Sequence, residues 1–257
     1  MRRLLLAMMT LAAVISMAAP VSAQTVGVVL MHGNTDTPYG TIASLATALE
    51  GAGYPVERPE MCWSYWRRRD RPLLDCLSEL EAPIERLSGR GVRAIVVAGM
   101  SVGGLGALAF GARRQGLVGI IALAANGSPE RLVRLFPQIA QSVAEAQAMV
   151  ASGRGDERAS FTDGNIRGLF PINTTAAIYL SFFDPTGPAN IPDNTSRLRA
   201  PLLWVAGTAD RSQTGPDYAF GRAPANPQNR YVTVDSDHLG TPTAAREAVL
   251  TWLSGLR

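Results

Sequence analysis

Three residues of this chain have the types and order needed for nucleophilic acyl transfer: Ser101, Asp210 and His238. Ser101 stands in Gly99-Met100-Ser101-Val102-Gly103-Gly104, directly after the strand-like run Arg93-Ala94-Ile95-Val96-Val97-Ala98 and before a small-residue helix start. That is the sequence form of a nucleophile elbow, in which a sharp turn presents the hydroxyl. A serine hydroxyl is a weak nucleophile unless it also has a base beside it and donors aimed at the developing oxyanion. The pentapeptide alone is common, so its surroundings must carry the assignment.

The search for a base is short, because the chain holds two histidines, His32 and His238. His238 follows a strand-like run at 230–234, in the loop 235–240, where a base is expected. His32 follows the first strand, and its expected role is to organise that loop by hydrogen bonding. A base needs a carboxylate to fix its tautomer and stabilise the imidazolium. Asp210, in the turn after the strand-like run 202–206, is best placed, with Asp184 and Asp237 as rivals.

The elements that must position these groups alternate along the chain. Buried-strand patterns occupy 25–31, 56–61, 94–98, 118–123, 202–206 and 230–234, and helical patterns occupy 42–49, 74–87, 105–113 and 244–253, with a kink expected at Pro83. This predicts an α/β fold: a mostly parallel sheet of about six strands with helices on both faces. In such sheets the ligand crevice lies beyond the carboxyl ends of the strands, where all three candidates fall. Residues 127–200 interrupt the alternation as an expected cap. Its first part reads as amphipathic helix over 132–150, broken or kinked at Pro137, and its later part as turn-rich.

Taken together, His32-Gly33, the Ser101 elbow, Asp210 and His238 make the chain resemble the α/β-hydrolase superfamily from about residue 25 to 256. The resemblance implies Ser101 as nucleophile, His238 as general base and Asp210 as its orienter. The backbone N–H groups of Asn34 and Val102 would form the oxyanion hole. It also implies a sheet lacking the two strands that usually precede the first one here. The implied activity is that of a serine hydrolase cleaving carboxylic esters through an acyl-enzyme, on a small-molecule acyl substrate, with no metal or organic cofactor. Thioester, amide or carbon–carbon cleavage on the same residues stays open, as does a ligand-binding protein on a hydrolase scaffold.

Composition narrows the setting. The chain has no lysine, which removes Schiff-base chemistry, a Ser-Lys dyad and a phosphate-loop lysine. Arg2 and Arg3, an apolar run over 4–19 and Val21-Ser22-Ala23 read as an export leader, residues 1–23, leaving 24–257 as the hydrolase domain. The expected location is periplasmic or secreted, without a stable membrane anchor after cleavage. Losing the two leader arginines lowers the formal charge from +3 to about +1, so the basic balance is no argument for nucleic acid. Export also favours a disulfide between Cys62 and Cys76, the two cysteines present. Between them, Trp63-Ser64-Tyr65-Trp66-Arg67-Arg68-Arg69 has two readings: a substrate-facing rim, or a surface loop with packed aromatics and solvated arginines. No motif sets acyl length, leaving group or oligomeric state.

Overall fold

Strand and helix alternate because the apolar residues do, and each buried strand hands the chain to a helix packed on the sheet. A computed structural model describes residues 25–256; the leader expected over 1–23 lies outside them. In chain order the elements begin β1 (Val26–Met31), α1 (Ala43–Gly51), β2 (Val56–Glu57), α2 (Leu73–Ser78), α3 (Glu81–Gly89), β3 (Ala94–Met100), α4 (Val102–Gly111) and β4 (Leu117–Leu123). The interrupting segment contributes α5 (Pro129–Leu135), α6 (Pro137–Ala151), β5 (Arg158–Asn165), β6 (Gly168–Thr175), α7 (Ala176–Phe183) and α8 (Ile191–Ser196). The chain then returns through β7 (Leu202–Gly207), β8 (Arg230–Val234), α9 (Thr241–Ala244) and α10 (Arg246–Ser254).

Six strands form one parallel sheet in the order β2-β1-β3-β4-β7-β8. Alternate residues of β1 serve opposite cores: Val28 and Leu30 pack with α1 and α10, Val29 and Met31 with α2, α3 and α4. Burial on both faces explains why β1 and β3 read as unbroken apolar runs. The strand order reverses between β1 and β3, so the crevice of this sheet opens between the loops that follow those two strands.

Three expectations need correction. The strand expected over 56–61 pairs only at Val56 and Glu57, because Pro59 cannot donate to a ladder at this sheet edge. The helix expected over 74–87 is two helices that break at Glu79 and Leu80, not at Pro83. Pro83 sits in the first turn of α3, where its missing N–H has no intrahelical partner to lose. The turn-rich half of the cap contains an antiparallel hairpin, β5–β6, in register from Arg158 with Thr175 to Asn165 with Gly168. The break at Pro137 is present: Phe136 is extended at φ −128°, as residues before proline are, and Pro137 opens α6.

The hairpin is tied to the helices behind it. Phe161, Tyr179 and Phe183 stack in one column at 4.6 and 4.4 Å, and the Tyr179 hydroxyl donates to the Thr162 carbonyl at 2.7 Å.

Candidate active site

The turn from β3 into α4 is tight enough that two of its positions must be glycine. A Cβ on Gly103 would lie 2.6 Å from the carbonyl oxygens of both Met31 and His32, and one on Gly99 would collide with the Gly103 backbone. Between them Ser101 takes φ 57° and ψ −119°, a region serine rarely adopts. Hydrogen bonds hold it there: its N–H donates to Leu123 O at 2.9 Å, and its carbonyl accepts from Leu105 N–H at 3.1 Å and Asn126 N–H at 3.3 Å. The side chain is thereby lifted off the sheet.

His238, in the loop after β8, places Nε2 3.0 Å from Ser101 Oγ. Its Nδ1 lies 2.7 Å from Asp210 Oδ2, in the loop after β7. The structure thus brings Ser101, His238 and Asp210 into one hydrogen-bonded line across 137 residues of chain. With Nδ1–H donating to the Asp210 carboxylate, Nε2 is free to accept from the serine hydroxyl.

Asp210 is nearly buried, yet it is richly solvated by the protein. Its carboxylate also accepts from Ser212 N–H at 2.9 Å, Ser212 Oγ at 2.7 Å and Gln213 Nε2 at 3.0 Å. Burial pushes its carboxyl upward, but the hydrogen bonds from His238 and Ser212 and the nearby imidazole outweigh that and bring it down to about 2. Ser212 and Gln213 were not legible as site residues, since nothing in sequence spacing marks an acceptor's partners. The rival acids are engaged otherwise: Asp184 accepts from Thr186 N–H at 2.8 Å, and Asp237, though it lines the cavity, accepts from Gly240 N–H at 2.8 Å.

Asn34 and Val102 line the same cavity as Ser101. Val102 is the first residue of α4, so its N–H is among those without an intrahelical acceptor. The Asn34 N–H makes no hydrogen bond among the described residues. A Cβ on Gly33 would sit 3.0 Å from Met100 Sδ, closer than ordinary contact, so glycine eases the approach of this loop to the turn that carries Ser101. His32 organises the loop from beneath: Nδ1 donates to Gly33 O at 2.8 Å and Nε2 accepts from Met61 N–H at 3.1 Å. Burial lowers its pKa, in keeping with a neutral imidazole that both donates and accepts.

The cavity measures about 520 Å³. Ser101, His238 and Asn34 form its polar floor, while Leu132, Phe136 and Ile139 of the cap helices, with Phe182 and Phe183, form apolar walls.

Cys62 and Cys76 are bonded, with Cα atoms 5.8 Å apart. Neither reading of the segment between them survives intact. Trp63 is fully buried and donates from Nε1 to His32 O at 2.9 Å, so it supports the first loop and does not face the cavity. Arg67 pairs with Asp70 and Glu79, and Arg68 lies over the Tyr65 ring. Arg69 is not solvated, and it alone of the three arginines lines the cavity that holds Ser101. It is 4 % exposed and bonds Asp163 of β5 through Nε at 2.7 Å and Nη2 at 3.1 Å.

No protein-family model and no curated protein matches the sequence. Solved structures do match in fold. One of two metagenome-derived lipolytic enzymes is 17% identical, with 91% of this chain and 94% of that chain covered at a TM-score of 0.65. A monoacylglycerol lipase from Paleococcus ferrophilus is 20% identical, covering 90% and 94% at a TM-score of 0.62. A proline iminopeptidase from Mycobacterium smegmatis is 16% identical, covering 90% of each chain at a TM-score of 0.56. With its six-stranded parallel sheet, helices on both faces and cap between the fourth and fifth of those strands to be reached in sequence, this chain has the α/β-hydrolase fold.

Proposed function

We propose that the protein is an exported serine hydrolase that cleaves carboxylic esters through an acyl-enzyme. The observation that carries this reading is the line Ser101 Oγ, His238 Nε2, Nδ1, Asp210 Oδ2, with steps of 3.0 and 2.7 Å, at the floor of an apolar cavity. Ser101 Oγ attacks the ester carbonyl carbon while His238 takes its proton. The carbonyl oxygen becomes an oxyanion that the Asn34 and Val102 N–H groups receive. His238 then returns the proton to the leaving alcohol oxygen, and the C–O bond breaks to leave the acyl group on Ser101. Water, deprotonated by His238, repeats the sequence and releases the acid.

Ester chemistry is favoured by the apolar part of the wall, Leu132, Leu135, Phe136, Ile139, Phe182 and Phe183, which offers contact along an acyl chain. The lipolytic and monoacylglycerol-lipase neighbours fit this choice. Export is supported by the Cys62–Cys76 bond, since such bonds persist in oxidising compartments.

The test is labelling with a fluorophosphonate followed by an ester chain-length series. Wild type is expected to be labelled stoichiometrically and Ser101→Ala not at all. Equal labelling of a folded Ser101→Ala removes Ser101 as nucleophile. Faster turnover of matched thioesters or amides than of esters removes the ester assignment and leaves the nucleophile in place.

A further inference from the structure

We propose that Arg69 and Asp163 are positioning residues for the oxyanion donor Asn34, which makes the cap hairpin part of the catalytic apparatus. The inference rests on the serine-hydrolase reading above and extends it to residues outside the Ser101, His238 and Asp210 line.

The hairpin holds the Asn34 peptide from both sides. On one side, Asn34 Nδ2 donates to Gly164 O at 3.0 Å and reaches the Asp163 carboxylate at 3.3 and 3.4 Å. On the other, Asn165 Nδ2 donates to Thr35 Oγ1 at 2.9 Å, and that hydroxyl donates to Asn34 O at 2.7 Å. Thr35 is in the left-handed region at φ 55°, so the peptide plane it shares with Asn34 is set by these contacts rather than by backbone preference. These contacts fix the Asn34 Cα, which joins that plane to the preceding Gly33–Asn34 peptide, and the preceding peptide carries the Asn34 N–H. A displacement of about 1 Å at a catalytic donor typically lowers turnover about 100-fold.

Asp163 is held in turn by Arg69, with the Gly164 N–H also donating to its Oδ1 at 2.6 Å. The pair is bidentate, and both residues are buried, at 4 % and 2 % exposure. Arg69 is itself constrained. It has φ 59°, its N–H donates to Cys62 O at 2.6 Å, and its carbonyl accepts from Thr174 Oγ1 at 3.0 Å. Its guanidinium lies over Phe182 and Phe183, at 4.4 and 5.0 Å from the ring centres. The Cys62–Cys76 bond closes the loop that carries it. A continuous chain of contacts therefore runs from the disulfide through Arg69 and Asp163 to Asn34.

Charge gives the pair a second task. Asp163 lines the same cavity as Ser101, and a bare carboxylate there would oppose the negative charge that develops on the carbonyl oxygen. Arg69 cancels it. A buried ion pair contributes little net stability over an apolar pair of similar volume, so stability alone does not account for this one. Alignment and charge cancellation do.

The experiment compares Asn34→Ala, Arg69→Met, Arg69→Lys and the Arg69→Met/Asp163→Leu double variant, each checked for folding by near-UV circular dichroism. Asn34→Ala keeps the backbone donor and removes only its handle, and its side chain is partly exposed, so it tests the proposal even where the buried variants unfold. Three readouts are taken: kcat and KM on a soluble ester, affinity for a trifluoromethyl ketone, and inhibition by the product acid. Ser101 Oγ adds to the ketone carbon, its proton passes to His238, and the resulting hemiketal oxygen occupies the oxyanion position. Asn34→Ala and the double variant are expected to lose roughly 10- to 100-fold in kcat and in ketone affinity together, with KM and product inhibition little changed. Arg69→Met is expected to fall further than the double variant, because it also exposes Asp163, and Arg69→Lys to recover part of the loss. Unchanged kcat and ketone affinity in folded Asn34→Ala and double variants overturn the proposal. So does a loss confined to KM and product binding, which marks a wall of the cavity and nothing more. Failure of wild type to be labelled by fluorophosphonate overturns the underlying hydrolase reading, whereas normal labelling with unaltered variants overturns only the positioning role.

Discussion

The carboxyl end of the sheet and the cap hairpin both hold residues against the same cavity, but by different means. At the sheet end, each group sits just after a strand of the sheet: Asn34 after β1, Ser101 after β3 and Asp210 after β7, all three buried along their length, and His238 after the edge strand β8. At the hairpin, position depends on polar side chains reaching across 94 to 130 residues of chain, Arg69 to Asp163 and Asn34 to Gly164. The first arrangement is set by the core and the second by a few charge-assisted and amide hydrogen bonds. Chemistry is thus placed by packing, and its alignment by polar contacts that a single substitution can undo.

The largest effect is expected where the sheet end carries the reaction itself. Asp210→Asn keeps the size of the side chain but lets His238 adopt the wrong tautomer, and kcat is expected to fall about 10⁴-fold with KM nearly unchanged. A loss under tenfold would mean that another acid orients His238. The comparison is next tested at the loop that carries Arg69. Removing the cross-link with Cys62→Ser/Cys76→Ser, which opens a loop with a sequence separation of 14, is expected to lower stability by about 3 kcal/mol in denaturant unfolding. If the sheet and hairpin differ as described, the drop in kcat of the surviving folded protein tracks that of Asn34→Ala, while fluorophosphonate still reaches Ser101.

A smaller effect concerns acid. Asp210 is held at about 2 against its usual 3.8, so its extra stability is fully present above that usual value and disappears as pH falls through about 2. The amount is roughly 2 kcal/mol, from about 1.4 kcal/mol per pKa unit. Wild type is expected to lose that much more than Asp210→Asn between about pH 5 and 2, measured by urea midpoints. The smallest effect has the opposite sign. Ser101→Gly removes a side chain from a left-handed position and is expected to raise stability by about 1 kcal/mol while abolishing turnover. No gain in melting temperature would mean that the elbow is unstrained.

What could be read in the sequence divides along the same line. Ser101, Asp210 and His238 were legible because each follows an apolar run, and apolar periodicity is a local signal. The glycines around Ser101 were legible because close backbone approach leaves glycine little alternative. The hairpin was not: the turn signal Asp163-Gly164 lies inside β5, and the true turn, Ile166-Arg167, carries neither asparagine nor glycine. Pro83 misled because a proline in the first turn of a helix and one in its interior look alike without the break at Glu79 and Leu80. Arg69 was visible as one arginine in a run of three. Its burial depends on a partner in a distant strand, and no spacing rule links positions 69 and 163.

The hairpin's hold on residues 34 and 35 also bears on how this fold can be rebuilt. Segment 127–200 looks like a module that could be exchanged to alter the accepted chain, because it leaves and rejoins the sheet between adjacent strands β4 and β7. A graft confined to those boundaries removes Asp163, Gly164 and Asn165 and strands Arg69 and Asn34 without their partners. The transplantable unit is therefore discontinuous in the chain: the cap travels with the cross-linked loop and the first strand's loop, or specificity changes at the expense of turnover.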